Sequence, residues 1–262
     1  MPAKKTKEHW ITDEPHSEII IVRPADSIFQ AEGQVEQGTF HGLWHFSSED
    51  YYDRDYTHFG TLRLFNDDTL SAGATWPPHP HRNVEVVTYC VDGIFRHADE
   101  RGEGGILRPG WIQHTTAGRG MSHSEINDRP DAPVRFIQMW FMPAKNDLEP
   151  SLEQKRVERE DRTNRLLPIV SNEDPDALLI VSDARVFASY LKAGNSLDYG
   201  LETGRGAYLY VVDGGPVSVN GHCVEALGAA KIIGCKEVSI VANDDAELLI
   251  VEVPLAVGNV TV

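Results

Sequence analysis

The chain has 262 residues, of which 40 are acidic and 24 basic, giving a formal net charge of −16, and 41% of its residues are hydrophobic. At about 100–200 residues per domain, this length forms one large domain or two small ones. The hydrophobic content argues against a disordered chain. The acidic balance argues against direct binding to nucleic acid or to an anionic membrane, because both need a basic surface.

The sequence shows no clear membrane span, signal peptide or disulfide pattern. No apolar run approaches the roughly 18–20 residues that span a bilayer, and the first residues lack the apolar stretch of a signal peptide. Cys90, Cys223 and Cys235 are too few for a disulfide framework and show no CxxC spacing. We therefore expect a cytoplasmic protein, with Cys90 buried and inert in the apolar run VVTYC.

Short apolar or alternating runs, each followed by turn residues, predict an all-β chain. In chain order they include HFGTLRLF before the polar triplet NDD, VEVVTYCV before DG, RFIQMWF before MP, AYLYVV before DGG, and ELLIVEV. Asp92-Gly93 and Asn220-Gly221 predict type I′ hairpins, because both central residues of that turn need positive φ. Many short strands at this spacing indicate a sandwich or a barrel.

A polar stretch from Pro143 to about Pro175 separates two β-rich halves. Its residues 149–165 are dense in charge, so we interpret the stretch as a solvated connector or a surface arm. The sequence YCVDG at 89–93 recurs as YVVDG at 210–214, which suggests two copies of one small barrel. The alternative is that β-hairpins in general share such letters.

Two histidine motifs, HPH at 79–81 and HSE at 123–125, have the spacing of metal ligands. Residues i and i+2 of a strand share a face and lie about 6.5–7 Å apart. Two such pairs on neighbouring strands supply four ligands, and neutral imidazoles with a carboxylate bind a metal at about 2.0–2.2 Å. Zn, Fe, Mn, Cu and Ni all accept nitrogen and oxygen ligands of this kind.

Either motif alone is a weak signal in a histidine-rich chain. With 11 histidines in 262 residues, composition alone gives about half an HxH pair per chain, and HSE also occurs at 16–18. Context favours the later pairs, because HPH follows Trp76-Pro77-Pro78 and the second HSE follows the glycine-rich residues 117–120. This glycine run lacks the phosphate-loop pattern and indicates a tight approach of backbone to a site.

The segment GATWPPHPHRNVEVVTYCVDG resembles the first motif of the cupin superfamily, with Gly93 one residue later than usual. More specifically, HPHRNVEVVTY and LRPGWIQHTTAGRGMSHSE resemble the pirin family and its bacterial quercetin 2,3-dioxygenase-like branch. The upstream segment LWHFSSEDYYDRDYTHFGTLRLFNDD and the downstream QMWFMP also fit that branch. The resemblance is detailed from about residue 38 to 145 and looser afterwards.

The resemblance implies an all-β bicupin made of two cupin-type β-barrels of the jelly-roll kind. It divides the chain into an N-terminal extension at 1–20, a metal-binding cupin domain at 21–145, a connector at 146–175, and a C-terminal cupin-like domain at 176–262. The last domain is expected to lack a metal site, because the internal repeat places Gly200 and Glu202 where the first half has His79 and His81.

Carried over residue by residue, the metal ligands of the family fall on His79, His81, His123 and Glu125. Most other cupins use the glutamate of the first motif, here Glu85, and strand parity does not decide between the two carboxylates. The resemblance favours Glu125, which would also act as the catalytic acceptor of a substrate proton. The implied cofactor is one divalent transition metal, expected as Fe(II), with Mn, Ni, Co, Cu and Zn as alternatives.

Other polar residues have weaker assignments. His97 is expected on a strand surface or beside a ligand rather than on the metal. His114 is expected as a core histidine whose hydrogen bonds are satisfied, with a pocket-lining role as the alternative. Gln138 and Trp140 alternate on a strand that could wall the pocket, although they could equally be ordinary barrel residues. His45 shows no ligand context.

The resemblance implies a mononuclear dioxygenase that opens a flavonol ring with O₂ and releases CO. Its partners would be a small flavonol-like substrate and O₂, with no direct nucleic acid and no membrane. The alternative is a metal-containing, redox-sensitive binding or regulatory protein that acts through a protein partner. A third possibility is a bicupin whose metal is only structural, since structural zinc sites are closed.

Overall fold

The computed structural model describes residues 18–255, and the fold is all-β, as expected. Two 3₁₀ turns occur at Ala25–Ser27 and Glu160–Arg162. The strands of the first half are β1 Ile19–Arg23, β2 Phe29–Val35, β3 Gly38–Trp44, β4 Leu62–Leu70, β5 Thr75–His81, β6 Glu85–Asp92, β7 Phe95–Asp99, β8 Gly104–Leu107, β9 Ile112–Thr116, β10 Met121–Ile126 and β11 Val134–Phe141. Those of the second half are β12 Ser151–Lys155, β13 Leu167–Ser171, β14 Leu178–Leu179, β15 Arg185–Leu191, β16 Ser196–Gly200, β17 Arg205–Gly214, β18 Val217–Val219, β19 His222–Val224, β20 Ala229–Ile233, β21 Glu237–Ala242 and β22 Ala246–Pro254.

Each half contains one seven-stranded and one four-stranded sheet. The first half has the orders β12-β9-β6-β11-β4-β3-β2 and β5-β10-β7-β8. The second half has β1-β20-β17-β22-β15-β13-β14 and β16-β21-β18-β19. The order β9-β6-β11-β4 thus recurs as β20-β17-β22-β15, and the two small sheets also match strand for strand. The predicted repeat of one barrel unit is confirmed, with the two YxVDG segments on the equivalent strands β6 and β17.

Two strands cross between the halves. β1 pairs with β20 of the second half, with Ile19 opposite Ile233, whereas β12 pairs with β9 of the first half, with Ser151 opposite Thr116. The stretch interpreted as a connector therefore contains β12 in one large sheet and β13 in the other. The domain boundaries at 21–145, 146–175 and 176–262 stay a prediction, and residues 1–17 of the predicted extension lie outside the described part of the chain.

The two predicted hairpins have different outcomes. Asn220 and Gly221 join the paired strands β18 and β19 with φ of 45° and 84°, so this hairpin is confirmed. The hairpin at Asp92-Gly93 is wrong, because β6 lies in the large sheet and β7 in the small one. Gly93, with φ of 84°, lies where the chain crosses between sheets, and a Cβ there would lie 2.8 Å from the Pro133 carbonyl oxygen.

The two seven-stranded sheets share an apolar core, and alternate residues of β6 face it. Val87 and Tyr89 belong to this shared core, together with Tyr208 and Val251 of the second half. A separate apolar cluster lies between the two sheets of the second barrel. That interior includes Leu209, Val211, Val219, Ile232, Ile240, Leu248 and Ile250.

In the interior of the first barrel, a polar layer lies between two apolar clusters. Along β11, Phe136 belongs to one apolar cluster and Trp140 packs against another, while Gln138 lies between them. On β6, Cys90 and Val86 belong to the same two clusters, and Thr88 lies between them. This polar layer contains the candidate site.

Cys90, Cys223 and Cys235 are free thiols. Cys90 is fully buried, as predicted, and its burial raises the pKa of the thiol to about 12. Within residues 18–255, no helix has the length and apolar character needed to cross a membrane.

Candidate metal centre

The HPH motif lies at the end of β5, the edge strand of the small sheet, which pairs with β10. Pro77, Pro78 and Pro80 are tolerated there because proline lacks the N–H that a central strand must donate on both sides. The edge position therefore explains how a proline-rich segment still presents two histidines on one face of a strand.

The register of β5 and β10 brings the histidine motifs together. His123 lies opposite His79, and Met121 lies opposite His81. The Nε2 atoms of His123 and His79 are 3.1 Å apart, and one ligand atom from each of His79, His81 and His123 lies within 4.8 Å of the others. The three predicted imidazoles therefore converge on one point in the structure.

The hydrogen bonding of His79 fits a cation at this point. Its Nδ1 lies 2.9 Å from the Pro77 carbonyl oxygen, which can only accept a proton, so a neutral His79 has a bare Nε2. Two nitrogens bound at about 2.0–2.1 Å and at a right angle on one ion lie about 3.0 Å apart. The observed separation of 3.1 Å suits such a pair, and the donor set fits a divalent transition metal.

Burial also favours metal binding by these rings. Desolvation, together with neighbouring histidines, lowers the pKa of His81 to about 4 and that of His123 to about 2. Both rings are consequently neutral at pH 7, which is the form that a metal ligand requires.

Glu125 is buried on β10 below the histidines. A register shift between His123 and Glu125 places the latter opposite Trp76 on one side and His97 on the other. Its carboxylate accepts a hydrogen bond from Gln138 Nε2, and burial raises its pKa to about 7. The group of converging ligand atoms comprises the three imidazoles without Glu125, so the role of Glu125 as fourth ligand stays a prediction.

Glu85 faces the second half of the chain. Its carboxylate accepts the backbone N–H groups of Val181 and Ser182 at 2.8 and 2.7 Å, and His114 Nε2 lies 3.2 Å from Oε1. The chain turns at Asn83, with φ of 52°, so the strand parity of β5 does not continue into β6. Glu85 instead follows the parity of Val87, which faces the shared core.

The other polar residues singled out in the sequence lie at different distances from the histidine cluster. His97 is buried, and its Nδ1 lies 3.2 Å from His123 Nδ1. The Trp140 ring packs edge-on against His81, with centroids 4.8 Å apart, and its Nε1 donates to Gln138. His45 lies away from the cluster, with its Nδ1 2.8 Å from the Tyr208 hydroxyl.

Asp68 is a buried polar residue near the site that the sequence does not identify, because the triplet NDD predicts a turn. Strand β4 instead continues through the triplet to Leu70. Asp68 is buried and accepts Trp44 Nε1 at 3.0 Å, and desolvation followed by the charge of Glu125 raises its pKa. Leu70, two residues later in strand phase, is the one sequence feature that could have indicated a continuing strand.

A cavity of about 470 Å³ opens beside His81. This volume lies within the range of about 300–1,000 Å³ that is usual for small-molecule sites. The lining residues are Pro80, His81, Arg82, Glu100, Gly120, Met121 and Ser122.

The sequence and the fold of this chain both resemble those of known proteins. A family model described as Pirin matches residues 28–141, and one described as Quercetinase C-terminal cupin domain matches residues 168–253. A Pseudomonas aeruginosa relative, provisionally named a quercetin 2,3-dioxygenase, is 37% identical over 233 residues, which cover 88% of this chain and 98% of that protein. The quercetin 2,3-dioxygenase of Escherichia coli strain K12 is 30% identical over 216 residues, covering 80% and 90% of the two chains.

A solved structure gives the same relationship. The bacterial pirin YhhW from Escherichia coli, in complex with nickel(II), has a TM-score of 0.83 and 28% sequence identity. The match covers 90% of this chain and 99% of that one.

Proposed function

This chain belongs to the pirin family, and from that premise we propose that it is a mononuclear metal-dependent dioxygenase of the quercetinase type. It would open a flavonol ring with O₂ and release CO. The observation that carries the proposal is the convergence of the His79, His81 and His123 ligand atoms within 4.8 Å, with His123 buried and the other two half-buried. Relatives named quercetin 2,3-dioxygenase support the substrate class.

In this proposal the three imidazoles hold one divalent ion, and Glu125 completes the ligand set. We propose Fe(II) as the ion in the cell, with Mn, Ni, Co, Cu and Zn as alternatives. The nickel complex of YhhW supports a divalent metal without selecting among these ions. When bound, such an ion lowers the pKa of a substrate hydroxyl and orients the substrate against O₂.

The chain itself supplies the proton acceptor and the walls. A buried carboxyl whose pKa is about 7 can accept a proton near neutral pH, so Glu125 is the proposed base. Gln138 holds this carboxylate through its amide. Trp140 packs against His81 and provides an apolar wall for a flat aromatic substrate.

We propose the reduced cytoplasm as the compartment, because all three cysteines are free. The proposed partners are a flavonol-like molecule and O₂.

Turnover tests this function directly. The purified protein is reconstituted in turn with Fe(II), Mn(II), Ni(II) and Co(II), and loss of flavonol absorbance and CO release are followed under O₂. We expect CO release with at least one metal and none from His79→Ala. Absence of turnover above this control with every metal would reject the enzyme, and bound metal without turnover would favour the binding or regulatory alternative.

A further inference from the structure

A hydrogen-bonded chain of four side chains connects the candidate metal centre to the surface of the first barrel. It runs from His123 to His97, Gln113 and Gln154. The distances are 3.2 Å between the Nδ1 atoms of the two histidines, 3.0 Å from Gln113 Nε2 to His97 Nδ1, and 2.8 Å from Gln154 Nε2 to Gln113 Oε1. The first three residues are buried, and Gln154 is exposed on the edge strand β12.

The orientations of the Gln154 and Gln113 amides give this chain a direction. The Gln113 oxygen accepts from Gln154, so the Gln113 amide nitrogen faces His97 Nδ1 as a donor. The same nitrogen donates to Thr115 Oγ1 at 3.1 Å. In this orientation His97 Nδ1 is an acceptor and the proton of a neutral His97 lies on Nε2. The one lone pair of His97 Nδ1 faces both Gln113 Nε2 and His123 Nδ1 and is shared between them.

This arrangement selects one of two tautomers of His123. A metal on His123 Nε2 requires the ring proton on Nδ1, from which it can be donated to His97 Nδ1 across 3.2 Å. The competing tautomer carries the proton on Nε2 and donates it to His79 Nε2 across 3.1 Å. In that second form, one hydrogen bond between His123 Nε2 and His79 Nε2 occupies both of the nitrogens that would bind a metal.

We propose that His97 is a positioning residue that holds the His123 proton on Nδ1, and that Gln113 keeps His97 an acceptor. This inference rests on the proposed metal-dependent function. It gives the metal centre a preset tautomer, in which His79 is fixed by a carbonyl oxygen and His123 by a second imidazole. Loss of such an outer partner typically lowers metal affinity about 10–100-fold.

Two substitutions separate this role from packing. His97→Phe keeps an aromatic ring but removes the acceptor. Gln113→Glu keeps the shape of the side chain but replaces the donor by an acceptor, which draws the His97 proton to Nδ1 and sets two N–H groups against each other. We expect each to weaken Ni(II) binding about 10–100-fold in competition with a chromogenic chelator.

Thr115→Val is the matched control, because it changes the other partner of the Gln113 amide and leaves His97 its donor. We expect less than about a threefold change in Ni(II) affinity for this variant, as for most single side-chain changes that leave a network directed as before. Unchanged affinity in folded His97→Phe and Gln113→Glu would overturn the proposal.

A spectroscopic measurement on the unaltered protein needs no variant to fold. In ¹⁵N-histidine NMR of the Zn(II)-loaded chain, we expect His123 protonated on Nδ1 and His97 protonated on Nε2. A proton on His97 Nδ1 would overturn the proposal while leaving the metal site intact. Failure of the unaltered protein to bind either Ni(II) or Zn(II) would instead reject the proposed metal-dependent function itself.

Discussion

At the scale of single residues, Glu85 and Glu125 are two buried carboxylates with different surroundings. Glu85 accepts hydrogen bonds from the backbone N–H groups of residues 181 and 182 in the second half. Glu125 instead accepts a side-chain amide inside the first barrel, and its pKa is raised by burial. Hydrogen bonds from the second half hold the Glu85 side chain in place, whereas Glu125 is poised to exchange a proton or bind a cation.

The first prediction follows from this difference. Glu85→Ala removes a charged acceptor and leaves two N–H groups unpaired, so we expect it to lower the free energy of unfolding by about 3–5 kcal/mol. Its Ni(II) stoichiometry should be unchanged in the folded fraction. Glu125→Ala should instead strip the metal. Chemical denaturation and elemental analysis of the two variants check both effects, and loss of metal from Glu85→Ala alone would reverse the ligand assignment.

Some of these residues could be found from the sequence and others could not. The histidine pairs were recognisable because i and i+2 share a face of a strand, and His79 and His81 do so in β5. Asp68 was not recognisable, since a buried aspartate within a strand has the same letters as a turn. The orientation of Glu85 depends on the turn at Asn83, which no periodicity shows.

At the scale of elements, the loop before β10 determines how the HSE motif enters the barrel. Gly118 has φ of 51°, and a Cβ there would lie 2.0 Å from the Leu148 carbonyl oxygen. The backbone N–H of Arg119 donates to that same oxygen at 2.9 Å. The glycine-rich sequence predicts a tight approach of backbone to a site. The close approach occurs at Gly118, but its neighbour is the backbone of Leu148 rather than the candidate site.

The second prediction compares two glycines with positive φ. Gly118→Ala adds both backbone strain and a collision, whereas Gly73→Ala, at φ of 71° with nothing within 4 Å, adds strain alone. We expect Gly73→Ala to cost about 1–2 kcal/mol of stability with unchanged Ni(II) affinity. Gly118→Ala should cost more and also weaken Ni(II) binding, because the backbone leading to His123 must move. Equal losses of stability and affinity in thermal melts and chelator competition would contradict this account.

Strand existence was predictable from alternation, but strand partners were not. The hairpin at Asn220-Gly221 was predictable because both residues readily adopt the positive φ of a type I′ turn, and the structure confirms it. Asp92-Gly93 has the same local chemistry, yet the chain there passes between two sheets. The pairing of β1 with β20 joins residues more than two hundred positions apart, so nothing local in the sequence could indicate it.

At the scale of the whole molecule, two copies of one barrel have diverged in their interiors. The third residue of β10, His123, lies opposite His79, whereas the third residue of β21, Ser239, lies opposite Asp198. The sequence repeat places Gly200 at the position equivalent to His79, whereas the strand register places Asp198 there, two residues earlier. The two positions differ because the connecting loops of the two halves differ in length. The second interior combines an apolar cluster with the buried Glu252, which pairs with Arg185 and Arg205, whereas the first interior holds the converging histidines.

This asymmetry predicts one metal ion per chain, held in the first barrel. The two barrels are joined by the shared apolar core of the large sheets and by Glu85, so the second barrel supports the first without duplicating its chemistry. The prediction that the second half binds no metal depends on the same comparison of Asp198 and Ser239 with the histidine pair.

Anomalous diffraction from crystals of the Ni(II)-loaded protein, collected at the nickel absorption edge, tests this claim most directly. We predict one anomalous peak per chain, surrounded by the Nε2 or Nδ1 atoms of His79, His81 and His123. A peak at any other position, a second peak between β16 and β21, or an empty map from crystals grown with excess Ni(II) would contradict it.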